Sequence, residues 1–322
     1  MNGLLQFEGL DKARLPAKPL HLAIGMFDGL HLGHQSVIEA AIHSARRSGG
    51  LAGVLTFAPH PSVLFRPDHP TLLLMPAAMK RTVLARLGVD FVIEQNFSRE
   101  YAAIEAQDFV AHLRGYLPQL AALYVGENWR FGRGRVGDVA LLNELARAAG
   151  MSVFSAQRLN HNGSPISSSR IRELLADGAI AEVNALLGYT YFTEGVVERG
   201  RQLGRTIGFP TLNIPWEPGM KPRYGVYMVQ VHTGQKQPVK GVANYGLRPT
   251  VEEATKPLLE VHLLESSSLT YGDKLTVQWL HFLRPESKFG SLEELRRQIE
   301  NDRKSALNFF QKMSSTEFPK DA

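Results

Sequence analysis

What most limits the shapes open to this chain is a change of hydrophobic pattern a little past its midpoint. Between residues 20 and 177, short apolar runs alternate with segments of helical period. The runs at 20–25, 51–57, 91–94, 121–125 and 152–156 have the length of buried strands. Between them Val37, Ile38, Ala41, Ile42 and Ala45 recur at helical spacing, as do Met79, Val83, Leu84 and Leu87. Segments 101–117 and 138–149 complete the alternation. Strands separated by helix-length crossovers pair in parallel, because a right-handed crossover packs back onto its own sheet and covers both faces. A doubly wound α/β layer is expected, with ligands beyond the carboxyl ends of its strands.

After Leu187 the pattern becomes all-β. Segments 191–198, 225–232, 239–244, 258–265 and 274–283 are rich in Val, Tyr and Leu and are punctuated by turn clusters such as Tyr271-Gly272-Asp273. A small barrel or meander is expected. Ser291 with Glu294 three residues on is a capping box, and Leu295, Ile299, Leu307 and Phe310 form the apolar stripe of one terminal helix to about residue 311. The boundary falls before Gly188, giving domains 1–187 and 188–322.

Composition narrows the chemistry. The 322 residues include no cysteine, which removes disulfides, thiolate nucleophiles and iron–sulfur ligation, and 44% hydrophobic content is enough for two cores. The net charge of +5 is divided almost evenly between the halves. Its one dense basic spot, Arg130, Arg133 and Arg135, is interleaved with glycines rather than laid along a helix, so no nucleic-acid partner is expected. No apolar run approaches the roughly 18 residues of a membrane span, and no secretory leader pattern opens the sequence. A cytoplasmic protein without a membrane or an obligatory protein partner is expected.

Three segments carry candidate chemistry. Gly25-Met26-Phe27-Asp28-Gly29-Leu30-His31-Leu32-Gly33-His34 joins the first strand to the first helix. Its glycines let backbone N–H groups approach a ligand, the helix start favours anions, and its histidines fall on one side of a turn. Phosphate suits this loop, although capping or packing histidines explain an isolated His-x-x-His as well. Zinc is the weaker option, with no Glu between the histidines and no further ligand in view. Ile166-Ser167-Ser168-Ser169-Arg170-Ile171-Arg172 caps a short helix, and its hydroxyls and Arg172 suit a polyphosphate; a plain helix cap also accounts for the serines.

In the second half, Gly204-Arg205-Thr206-Ile207-Gly208-Phe209-Pro210-Thr211-Leu212-Asn213 permits tight curvature around phosphate. Thr211 and Asn213, at alternate spacing, present hard oxygens on one side of an extended chain, as Mg²⁺ with nucleotide phosphates requires; a tight turn is the simpler alternative. Glu260 alternates with Leu259 and Val261 and so faces away from them.

Taken together, the first loop and the Ile-Ser-Ser-x-x-Ile-Arg helix resemble the HxGH nucleotidyltransferases. Thr56-Phe57-Ala58-Pro59-His60-Pro61 and Gly126-Glu127-Asn128-Trp129-Arg130-Phe131-Gly132, with Gly137-Asp138, narrow the resemblance to the bifunctional riboflavin kinase/FAD synthetases. It extends from about residue 20 to about residue 306 and takes in the Pro-Thr-x-Asn run. The chain departs from the family pattern at Met26, Ala58, Asn128 and Trp129.

The resemblance implies a Rossmann-like sheet followed by a six-stranded antiparallel barrel with a C-terminal helix. It implies ATP-dependent phosphorylation of riboflavin to FMN, then adenylylation of FMN to FAD with release of pyrophosphate, with Mg²⁺ as cofactor. Carried over by position, His31 and His34 are catalytic at the adenylyl site, and Gly25, Phe27, Asp28, Gly33, Ser168, Ser169 and Arg172 bind its ATP. His60, Asn128, Arg130 and Phe131 border FMN. Gly204, Arg205, Gly208, Phe209, Pro210 and Thr211 bind the kinase ATP, Thr211 and Asn213 hold the metal, and Asn213 and Glu260 are catalytic, with Glu260 as general base. Two alternatives stay open: one module alone is active, or the chain is a non-catalytic flavin-binding regulator. Retention of His31, His34, Asn213 and Glu260 argues against the regulator.

Overall fold

The apolar runs of the first half become one parallel sheet. In the computed structural model, which describes residues 3–200, 204, 207–216, 218–234, 237–247 and 257–315, the chain divides into two compact units, Met1–Arg170 and Ile171–Ala322. Strands β1 (Leu5–Phe7), β2 (Leu20–Ile24), β3 (Leu51–Ala58), β4 (Phe91–Asn96), β5 (Leu120–Gly126) and β6 (Ser152–Ala156) lie in the order β1-β4-β3-β2-β5-β6, parallel throughout. All five residues of β2 are buried, and Leu22 and Ile24 join Leu55, Phe91, Leu123 and Val125 in the core. The chain builds outward from β2 to β3 and β4, then returns to the other side of β2 with β5 and β6. The topological switch point therefore lies at the carboxyl ends of β2 and β5, where such sheets bind ligands.

The crossovers are α1 (Leu32–Ser48), α2 (Pro61–Phe65), α3 (Ala77–Leu87), α4 (Arg99–Ala102), α5 (Phe109–Tyr116) and α6 (Val139–Ala148). Segment 101–117, read from its sequence as one helical stretch, is broken into α4, a 3₁₀ turn at Ala106–Asp108 and α5. The break has a tertiary cause: the Ile104 carbonyl accepts the Arg133 N–H at 2.7 Å instead of closing a helical turn. The edge strand β1 has no counterpart in the sequence reading, because three half-exposed residues are too short to display a period.

A hairpin of β7 (Asn160–His161) and β8 (Ser164–Pro165) precedes α7 (Ser168–Asp177) and α8 (Ile180–Leu187). In the second unit β9 (Phe192–Val196), β10 (Leu212–Pro215), β11 (Gly225–His232), β12 (Val239–Leu247), β13 (Pro257–Leu263) and β14 (Lys274–Pro285) lie in the order β10-β13-β12-β11-β14-β9, antiparallel at each ladder. A single bridge between Glu198 and Asn213 brings the two edges together, making a nearly closed six-stranded barrel. Its interior is aromatic: fully buried Trp279 lies 4.6 Å from the Tyr227 ring and 5.7 Å from that of Tyr245, and its indole N–H donates to Thr193 Oγ1 at 2.9 Å. The C-terminal helix α9 (Leu292–Ser315) sets Ala306 and Phe310 against Val226, Met228 and Val242 on the outer wall. Helix α8 is tied to the same unit by Asn184, whose side chain bonds the Trp279 carbonyl and the Tyr191 N–H. Among the described residues no helix is long and apolar enough to cross a membrane.

Gly53 on β3 stands opposite Phe91 of β4, and a Cβ built there would lie 2.0 Å from the phenyl ring. Phe91 is fully buried and has nowhere to retreat. Gly53→Ala is expected to destabilise the first unit by about 1–3 kcal/mol through overpacking. A urea titration followed by circular dichroism will register this as a lowered midpoint.

Candidate functional site

The first candidate site is the loop between β2 and α1, at the switch point. Three successive demands fix its backbone: Phe27 and Leu30 have φ of 47° and 43°, and Gly29 has 83°. Left-handed φ at two bulky residues costs of order 1–3 kcal/mol each and persists only where the surroundings enforce it. Here Asp28 enforces it. Its buried carboxylate accepts the Leu74 N–H at 2.9 Å, and its main-chain carbonyl accepts Ser168 Oγ at 2.8 Å. The Ser168 bond brings the start of α7 against the loop, so the two segments expected at phosphate from the sequence converge. Ser167 caps α7 through the Arg170 N–H, and Arg170 holds the β7–β8 hairpin through the carbonyls of His161 and Ser164. Ser169 is exposed in the first turn of α7, and Arg172 lies one turn on in the same helix.

His31 is the N-cap of α1, its Nδ1 accepting the His34 N–H at 3.3 Å. The proton of neutral His31 therefore resides on Nε2, which is left as a donor. The His31 and His34 rings stack at 3.6 Å with 16° between their planes, and Phe27 meets His34 edge-on at 5.4 Å. A Cβ on Gly33 would press on the His31 ring and one on Gly25 on Phe27, so both glycines let these rings sit against backbone. Burial pushes His31 down to about 4, and burial, with His31 and Lys80 as like-charged neighbours, holds His34 well below the ordinary histidine value. His34 Nδ1 is enclosed and has no hydrogen-bond partner among the described residues. Two neutral imidazoles thus meet whatever binds.

Beside this loop lies a cavity of about 980 Å³ lined by Gly25, Met26, His60, Asn128, Arg130 and Phe131. It gathers the four residues expected at FMN, while His31, His34, Phe27, Asp28 and Gly33 are not part of its lining. His60 caps α2 through the Ser62 N–H at 3.1 Å. Arg130 lies 3.6 Å from Asp138, which caps α6, and Phe131 is clasped by paired backbone bonds to Gly137. Sequence reasoning missed most of the aromatic wall: Phe57, Phe65, Phe97 and Tyr101 line the cavity, and Trp129 stacks on Phe131 at 4.9 Å. It also missed Lys80, buried under the loop. The only sequence signal for the wall was the density of aromatics near residues 97–101.

The second candidate site is on the outer wall of the barrel. Leu259 and Val261 point into the aromatic core with no exposure, and Glu260 points outward into a cavity of about 420 Å³ with Gly204, Phe209, Thr211 and Asn244. Strand register sets Asn213 of β10 and Asn244 of β12 directly opposite Glu260, so three polar side chains cross three neighbouring strands in one row. Asn213 is 6% exposed, with its Oδ1 enclosed and unpartnered among the described residues; a Cβ on Gly200 would collide with its amide. Pro210 accepts His262 Nδ1 at 3.0 Å, fixing that imidazole's proton, and Gly208 turns with φ 89°. Arg205 lies outside the described residues. Gly208, Pro210 and Asn213 are not among the residues that line the cavity. Helix α9 closes the far side through Leu295 and Ile299, fastened by a two-pronged bond from Arg284 to buried Asp302, with Nε to Oδ1 at 2.9 Å and Nη2 to Oδ2 at 2.7 Å. That pair escaped the sequence reading, since its members lie 18 residues apart in different elements.

Comparison with known proteins matches each half. The FAD synthetase family covers residues 15–170 and the riboflavin kinase family residues 187–310. A bifunctional riboflavin kinase/FMN adenylyltransferase from Escherichia coli strain K12 is 38% identical over 298 residues, spanning 92% of this chain and 95% of its own. A protein of the same description from Listeria monocytogenes is 35% identical over 296 residues, spanning 91% and 93%. A crystal structure of a macrolide-efflux protein from Streptococcus pneumoniae superposes with a TM-score of 0.85 at 28% identity, over 95% of this chain and 99% of that one. Its name belongs to that protein; what it shares with this chain is the fold.

The histidine pair gives the first unit a pH-dependent stability. Between the folded His31 value of about 4 and the ordinary 6.5, the unfolded chain binds the proton more readily, so stability is full above about pH 6.5 and falls toward pH 4. The loss from this residue approaches about 3 kcal/mol at its low-pH limit. His34 adds to it in the same direction. His31→Asn keeps a capping acceptor without the titration. Thermal unfolding from about pH 7.5 to about pH 4.5 is expected to fall less steeply in that variant than in the unmodified chain.

Proposed function

The chain belongs to the bifunctional riboflavin kinase/FMN adenylyltransferase family, with one family domain in each half of its sequence, and from that premise we propose that its two sites act in series on one flavin. The barrel phosphorylates riboflavin with ATP to give FMN. The α/β unit then joins FMN to the AMP portion of a second ATP, giving FAD and pyrophosphate. One observation carries the reading: two sets of enclosed polar groups stand in separate units, the stacked His31–His34 pair beside an aromatic cavity and the Asn213–Glu260 row on a barrel wall.

At the adenylyl site an oxygen of the FMN phosphate attacks the α-phosphorus of ATP. The bond to the bridging oxygen breaks, and pyrophosphate leaves with the electron pair. Little covalent work falls to the protein, so alignment and charge stabilisation dominate. His31 Nε2–H and His34 supply donors to the α-phosphate oxygens, one from each neutral ring. Gly25, Phe27, Asp28 and Gly33 hold the loop in shape around ATP, and Ser168, Ser169 and Arg172 receive the pyrophosphate. His60, Asn128, Arg130 and Phe131 border FMN, with the Trp129–Phe131 stack offering a flat surface to its rings. We set the division between functional modules at residues 187 and 188, because α7 carries Arg172 for this chemistry although α8 is bonded to the barrel unit.

At the kinase site the terminal ribityl hydroxyl attacks the γ-phosphorus, ADP leaves, and Glu260 takes the hydroxyl proton. Gly204, Arg205, Gly208, Phe209, Pro210 and Thr211 form the loop around ATP. The unpartnered Asn213 Oδ1, with the Thr211 hydroxyl nearby in sequence, is the hard oxygen set that fits Mg²⁺, which would offset the charge of the phosphates when bound. The reaction is placed in the cytoplasm, where ATP is held. No nucleic-acid or obligatory protein partner is inferred.

The two activities are separable by mutation. His34→Ala is expected to lower FAD formation by about 10²–10³-fold while FMN accumulates. Glu260→Gln is expected to lower FMN formation by about 10²–10⁴-fold yet leave FAD formation from supplied FMN intact. Chromatography of the flavin products reads both, and unchanged FAD output from His34→Ala would remove the loop from the mechanism. Asn213→Ala is expected to raise the Mg²⁺ concentration giving half-maximal kinase activity by at least about tenfold, in a titration of FMN formation against the metal.

A further inference from the structure

One buried cation of the first unit has no part in the roles above. Lys80, on α3, is 8% exposed, and its ammonium sits at the carboxyl ends of β2 and β3. It donates to the Met26 carbonyl at 2.8 Å and to Thr56 Oγ1 at 3.2 Å. Thr56 Oγ1 donates in turn to the same carbonyl at 3.1 Å. An ammonium has three protons, and the third has no acceptor among the described residues. Burial pushes its pKa down from the ordinary lysine value, and Asp28 of the loop and Glu94 of β4 oppose that shift by favouring its charge. The charged or titratable groups that face His34 are His31 at the head of its own helix and Lys80 from α3.

A neutral donor would suffice to pin one carbonyl. Burying an ammonium costs several kcal/mol, so an amide in its place would hold Met26 at lower cost. What the ammonium adds is a fixed positive charge in a poorly solvated place, under the loop that presents both imidazoles. A cation there draws anionic phosphate toward the loop and disfavours a second cation on His34.

We propose that Lys80 is a positioning residue for adenylyl transfer: through Met26 it fixes the loop that presents His31 and His34, and through its charge it strengthens the hold on the ATP phosphates. The inference rests on the assignment of adenylyl transfer to this loop. It predicts that position 80 tolerates neither loss of the hydrogen bonds nor loss of the charge.

The test compares Lys80→Gln, which keeps a neutral donor, Lys80→Met, which keeps neither property, and Lys80→Arg, which keeps both, in the full-length chain. FAD formation from FMN and ATP is measured across pH, and FMN formation from riboflavin in the same preparations reports on the other unit. Lys80→Gln and Lys80→Met are expected to lower kcat for FAD formation by about 100-fold. In both, the acid limb of kcat/KM moves upward by about half to one pH unit, as His34 loses its like-charged neighbour. Lys80→Arg recovers the rate to within about tenfold of the unmodified chain and restores the acid limb. FMN formation stays unchanged in all three. FAD turnover within about threefold of normal in Lys80→Gln, with an unmoved acid limb, would overturn the proposal. Equal loss in the Gln and Arg variants without any movement of the pH profile would also overturn it, since Lys80 would then be only a fastener. Failure of the unmodified chain to form FAD would instead strike the functional assignment, and so is distinguishable from both.

Discussion

The first unit depends on satisfying a single irregular turn. Between β2 and α1 the backbone passes through left-handed conformations at Phe27, Gly29 and Leu30 with little solvent to receive its polar groups. Three distant segments meet that need: Leu74 bonds the Asp28 carboxylate, Ser168 the Asp28 carbonyl and Lys80 the Met26 carbonyl. The same three bonds place α7, α3 and the loop around one point. The shape of the loop is therefore set by how the strand ends are satisfied, and the loop cannot relax without releasing elements from elsewhere in the unit. This is why strain persists there, at the place where orientation matters most.

The barrel meets a different constraint. Its interior is filled by Trp279, Tyr227, Tyr245 and Leu259, and the cavity that Glu260 lines is on the outside wall. Period-two alternation does the sorting: Leu259 and Val261 go inward to the core, and Glu260 goes outward to the cavity. Antiparallel register then aligns Asn213 and Asn244 with it. Core packing and the polar row are set by the same strands but by opposite faces.

The alternation of apolar runs and helical periods made both architectures legible, because periodicity is a local property that survives burial. The two loop-to-helix turns were legible for a related reason: glycine, histidine and serine at short fixed spacing act within one turn. What escaped is what tertiary contact decides. The three residues of β1 are a strand only because β4 offers them an edge. The break in 101–117 exists because Arg133 claims a carbonyl. Lys80 reads in sequence as an ordinary solvated helix lysine, and its meaning comes from a carbonyl 54 residues away. The aromatic wall around the large cavity of the first unit likewise gathers residues from several connections.

The Arg284–Asp302 fork has a bearing on how the protein is made. It fastens a helix that supplies one wall of the barrel cavity, and that helix follows every barrel strand in the sequence. The first unit, by contrast, is complete once residue 170 has emerged. A nascent chain thus acquires the shape of the loop proposed for adenylyl transfer before the pocket proposed for phosphorylation is walled, so the order of synthesis runs opposite to the proposed order in which the flavin is handled.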